Sequence, residues 1–66
     1  MTYKETDRLL RKDGWVLVRT SKGSHYQYKK AGCAYLATVP NHGGKDISIG
    51  VIRSLEKGTG LSLLKG

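Results

Sequence analysis

The stretch KGSHYQYKK, Lys22 to Lys30, holds the residues best suited to chemistry: one imidazole, His25, set among Lys22, Lys29 and Lys30. A free imidazole titrates near pH ~6.5, so it takes up and returns a proton around neutrality. Beside cations, that property suits attack on a phosphodiester. In RNA, a base removes the proton of a 2′-OH, the oxygen attacks the neighbouring phosphorus, and a cation stabilises the developing charge. His25 with Lys22, Lys29 or Lys30 supplies both functions, and the reaction needs no metal. DNA lacks the 2′-OH and cannot be cut this way.

Other chemistries fit the inventory less well. A two-metal nuclease needs several converging carboxylates. Glu5, Asp7 and Asp13 lie on or beside one N-terminal segment, Asp46 and Glu56 stand far along the chain, and no D-x-D cluster occurs. Gly43-Gly44-Lys45 imitates the end of a phosphate loop, but G-x-x-x-x-G-K-[ST] is absent and the run reads as an ordinary turn. Ser24 and His25 are adjacent on a strand and face opposite ways, so they form no triad. Cys33 is the only cysteine, which excludes an internal disulfide and reads as a small core or edge residue. His25 and His42 are too few ligands for a structural zinc site. No cofactor is implied.

Sixty-six residues make one small domain, which buries only about 60% of the surface its unfolded chain exposes. No apolar run is long enough to span a bilayer, and the N-terminus lacks a signal-peptide core; a reduced, cytosolic setting is the expectation. Twelve Lys and Arg against five Asp and Glu give a net charge of +7. Such a field favours polyanions, nucleic acid first, or an acidic protein partner.

The elements that must position His25 read as α-β-β-β-α. Thr2 and Glu5 form a T-x-x-E capping box ahead of Leu9 and Leu10, and Gly14 ends that helix in a way that folds Trp15 back onto Leu10. Trp15 reads as core. Trp15–Ser21 is β-branched and aromatic, Lys22-Gly23 supplies a turn, and Ser24–Lys29 alternates; Ala31-Gly32 supplies a second turn. Cys33–Val39 reads as a third strand ended by Pro40, and short turns make the three an antiparallel meander. Pro40–Asp46 is a loop. A second helix starts near Asp46 or Ser48, carries Ile49, Val51, Ile52 and Leu55, and is broken by Gly58 and Gly60, leaving Leu61, Leu63 and Leu64 as a packed tail. The expected fold class is α+β: a three-stranded antiparallel sheet with two helices on one face, like a double-stranded-RNA-binding domain.

Tyr26 and Tyr28 are the large apolar side chains of the middle strand and belong under the helices. His25, Gln27 and Lys29 then share the open face, since a strand has a side-chain period of two. The flanking strands carry apolar residues on both faces and do not test this assignment. On these residues alone His25 is a catalyst, a passive RNA contact or a structural residue. The chain is correspondingly a ribonuclease, a non-catalytic RNA-binding module, or a subunit whose basic face serves an acidic partner.

The chain resembles the HicA (YcfA-like) family of mRNA interferase toxins from toxin–antitoxin pairs. LLRKDGWVLVRTSKGSHYQYKK looks like the family's helix, glycine, apolar strand and G-S-H signature; TVPNHGGKDI and GVIRSLEKGTGLS look like its V-P-x-H loop and closing helix. The resemblance implies a metal-independent endoribonuclease acting on mRNA. His25 takes the family's catalytic position, with Gly23 and Ser24 completing the motif. His42 takes the second motif's position, where structuring the loop or contacting RNA is its expected role. Lys22, Gln27, Lys29 and Lys30 are the further RNA-binding candidates. The implied partner is a HicB antitoxin, whose acidic, partly RNase-H-like domain covers the active face. The chain departs from the family where Ser48 precedes the second helix in place of a frequent proline, in the small Ala31-Gly32-Cys33 turn, and in its short tail after Leu61.

Overall fold

The computed structural model describes residues 1–63. The order is α1 (Tyr3–Lys12), β1 (Val16–Ser21), β2 (His25–Lys29), β3 (Ala37–Pro40) and α2 (Ile49–Thr59), with an antiparallel sheet in the order β1-β2-β3. The expected α+β architecture is what forms.

The capping box at α1 is complete. The Glu5 N–H donates to Thr2 Oγ1 at 3.3 Å, and the Thr2 N–H donates to Glu5 Oε1 at 2.9 Å. At the other end, the Trp15 N–H donates to the Leu10 carbonyl at 3.0 Å and the Gly14 N–H to the Arg11 carbonyl at 3.0 Å. These are the paired bonds of a Schellman ending, and they require the left-handed φ of 98° at Gly14. Trp15 thereby enters the core at 2% exposure.

Both helices cover one side of the sheet. Tyr28, Ala37 and Val39 pack there with Leu10 of α1, Trp15, and Ile52 and Leu55 of α2. Ile47 and Leu63 close the ends of this core. Beneath it lies a polar anchor: Tyr28 is fully buried, and its hydroxyl donates to Asp7 Oδ1 at 2.5 Å while meeting the Tyr3 hydroxyl at 2.5 Å. Arg11 Nε donates to the same carboxylate oxygen at 2.9 Å. Burial pushes the Asp7 carboxyl up, but the hydrogen bonds from Tyr28 and Arg11 outweigh it and hold the group below its ordinary range. Desolvation, then the bond to Asp7, pushes the Tyr28 phenol far up, so it stays a neutral donor.

Two elements differ from the sequence reading. The third strand is Ala37–Pro40, not Cys33–Val39. Tyr35 leaves the ladder to pack edge-on against Trp15, with ring centroids 6.3 Å apart at 83°. Gly58 does not break α2. It lies inside the helix because the Tyr35 ring occupies the space a Cβ would fill, and Gly60, at φ 78°, is the stop. Ser48 does stand at the N-cap, but its side chain makes no capping bond. Of the expected tail, Leu61 and Leu63 pack on the core, and Leu64 lies outside the described residues.

Candidate active site on the open sheet face

His25 opens β2, directly after a turn built for a hairpin. Lys22 (φ 54°) and Gly23 (φ 72°) both take left-handed backbone, the conformation that matches the twist of two antiparallel strands. Lys22 is the only non-glycine described with positive φ. Alternation along β2 then sorts the side chains. Tyr28 is in the core and Tyr26 packs against it, its ring meeting that of Tyr3 at a tilt of 47° with centroids 4.9 Å apart. His25, Gln27 and Lys29 point to the face the helices leave open.

Cross-strand partners share a face, so the register maps the site. His25 pairs with Ser21 of β1 and Pro40 of β3, and Gln27 pairs with Arg19 and Thr38. Lys29 pairs with Val16, which is 58% exposed. Pro40 is tolerated because β3 is an edge strand and its missing N–H breaks no inner ladder. The second motif meets the first at this end of the sheet: the Asn41 N–H donates to the Ser24 carbonyl at 2.7 Å, and the Gly43 N–H to Asn41 Oδ1 at 3.2 Å. His42, exposed, is therefore held on a loop bolted to the strand that begins with His25.

The predicted contact residues thus separate. Lys22, Gly23, Ser24, His25 and the His42 loop gather at one end of the open face. Gln27 lies one step inward and Lys29 another step beyond, about 13 Å from His25 at strand rise. Lys30 is turned away: its Nζ pairs with Asp13 Oδ2 at 3.0 Å, as does the Trp15 Nε1–H at 3.2 Å. The Lys30 bond, before that of Trp15, draws the Asp13 carboxyl below its ordinary range.

Arg19 is on this face although simple alternation puts it elsewhere. The pairing shifts between Leu17 and Arg19, where Val18 is the extra residue of a β-bulge. Apolar residues on both faces of β1 hid that shift. Among the described residues, no three His, Cys, Asp or Glu side chains come together to hold a metal ion, and no helix is long and apolar enough to cross a membrane.

A family model described as "HicA toxin of bacterial toxin-antitoxin" matches residues 3–61. The chain belongs to the HicA toxin family. The match runs from the first residue of α1 past the end of α2, so the whole sheet and both helices lie within the family's extent. No curated protein matches the chain. Membership makes it a toxin of the toxin–antitoxin type.

Proposed function

We propose that this toxin is a metal-independent endoribonuclease that cleaves mRNA on the open face of its sheet, with His25 as the proton-transfer group and a HicB-type antitoxin as its inhibitor. The observation that carries the reading is the alternation of β2. Tyr28 is completely buried in the core, which turns His25 to the side free of helices. A long, flat substrate can reach an imidazole there.

The chemistry follows from the groups at hand. An RNA strand lies along the basic face, its phosphates drawn by the net charge of +7. The neutral imidazole of His25 takes the proton from a ribose 2′-OH. The 2′ oxygen forms a bond to the adjacent phosphorus, and the bond from phosphorus to the 5′ oxygen breaks. The protonated imidazole returns its proton to that leaving oxygen. The products are a 2′,3′-cyclic phosphate and a 5′-hydroxyl, with atoms and charge balanced and no oxidant or cofactor consumed. Lys22, Ser24, Gln27, Lys29 and His42 are assigned to holding the strand. The net positive charge, to which Arg19 and Lys29 on the uncovered sheet and Lys22 beside it contribute, suits an acidic antitoxin as its cover.

The test is His25→Ala, expressed without antitoxin and assayed on RNA as pure protein. Its circular dichroism and melting temperature are expected to match wild type, because the side chain is outside the core. Growth arrest and cleavage are expected to vanish. A folded His25→Ala protein that cuts RNA at the wild-type rate removes the mechanism. A wild type that binds RNA and never cuts it makes the chain a binding module instead.

A further inference from the structure

The ribonuclease reading requires a cation at the scissile phosphate, and we propose, resting on that reading, that Arg19 is this catalytic residue. Its guanidinium grips the two non-bridging oxygens of the phosphate whose neighbour His25 deprotonates.

The bulge in β1 is the first argument. Val16 and Leu17 pair with Lys29 and Tyr28, so Val16 faces outward and Leu17 inward. Regular alternation would carry Arg19 to the helix side, opposite Tyr26. The extra residue Val18 moves it one place, onto the open face and opposite Gln27. Bulges that re-aim one side chain beside a reactive group are a recurrent device. Here the side chain re-aimed is a cation.

Position is the second argument. His25 faces Ser21 across the hairpin, and Arg19 is two residues from Ser21 on the same face. That makes Arg19 the diagonal neighbour of His25, about 7–8 Å away between backbones and within reach of a long side chain. A phosphate bound between them touches both. The other cations are placed worse. Lys30 is held by Asp13, Lys29 is about 13 Å away along the strand, and Lys22 rides on the hairpin turn rather than on a strand. The Arg19 side chain makes no ion pair or hydrogen bond among the described residues, so its charge is uncommitted.

Chemistry supplies the third. The planar fork of arginine binds two phosphate oxygens at once, which a lysine point charge does not. Gln27 gives this fork a seat. Its Oε1 is buried and accepts no hydrogen bond among the described residues, and the residue directly across β1 is Arg19. One N–H of the guanidinium placed on that oxygen leaves the remaining donors for the phosphate, making Gln27 a positioning residue for Arg19.

The experiment measures single-turnover cleavage of one RNA by wild type, Arg19→Ala, Arg19→Lys, His25→Ala and Arg53→Ala, the last a charge-matched control on α2. Arg19→Ala is expected to lower kcat by about 10²–10³, the usual effect of losing one oxyanion donor. Arg19→Lys recovers part of that loss, and Arg53→Ala stays within threefold of wild type. Replacing a non-bridging oxygen of the scissile phosphate by sulfur is expected to slow wild type and to have little effect on Arg19→Ala. A folded Arg19→Ala that keeps kcat within threefold, with only KM raised, overturns the proposal while leaving His25 in place. Equal cleavage by wild type and His25→Ala refutes the His25 mechanism, no cleavage by wild type refutes the ribonuclease reading, and Arg19's role falls with either.

Discussion

Tyr28→Phe isolates the bond that anchors β2 to the first helix. The ring stays, so the core keeps its volume; only the hydroxyl that donates to Asp7 at 2.5 Å and meets Tyr3 is removed. A hydrogen bond to a charged group contributes about 1.5–3 kcal/mol. Asp7 keeps Arg11 at 2.9 Å and its side chain is 24% exposed, so water and arginine replace part of the loss. The lower figure, about 1.5 kcal/mol, is therefore expected, a fall of about 6–12 °C in melting temperature for a domain this small. The effect must also depend on pH. Because the Asp7 carboxyl is held below its ordinary range in the folded protein, its stabilisation is complete above the unfolded value near pH ~4 and drains as pH falls through the folded value. The variant has less to lose, so the two melting curves should converge in acid. Thermal denaturation followed by circular dichroism at pH 7 and at pH 3 measures both. A variant melting with wild type at pH 7, or a gap unchanged at pH 3, would refute the account of the anchor. Cleavage below the melting range should be unaltered, since Tyr28 lies on the side of the sheet away from His25.

Gly58→Ala should destabilise the protein by about 1–3 kcal/mol, despite the roughly 1 kcal/mol that alanine gains over glycine in a helix, because the new methyl overlaps the Tyr35 ring; a chemical denaturation midpoint above wild type would contradict this. Lys29→Ala should weaken RNA binding and flatten the dependence of log K on log[salt] by about one unit. Lys30→Ala should leave that slope unchanged and instead loosen the Asp13 contact, with a small loss of stability that disappears once Asp13 is protonated in acid.

Local chemistry made much of this molecule legible in its sequence. The T-x-x-E box and Gly14 mark both ends of α1, because each satisfies backbone groups only its neighbours can reach. Tyr26 and Tyr28 orient β2, because two large rings at a spacing of two cannot both be left in water. Long-range packing was not legible. Tyr35 sits in what reads as a strand, and only the position of Trp15 and the gap at Gly58 draw it out. Gly58 reads as a helix breaker until the ring above it is known. Lys30 belongs by sequence to the basic run, yet Asp13, seventeen residues away, claims it. The bulge at Val18 has no signature in a strand apolar on both faces, and so Arg19 could not be assigned a face.

The proposed cleavage stands on His25 withdrawing the proton of a ribose hydroxyl. Its most direct measurement is the end chemistry of a cleaved oligonucleotide, compared with the same oligonucleotide carrying one 2′-deoxyribose at the cut site, in chelator throughout. The expected result is a 2′,3′-cyclic phosphate from the all-RNA strand, made by wild type and not by His25→Ala, and no cut at the deoxyribose. A 3′-hydroxyl product, or cleavage beside the deoxyribose, would contradict it.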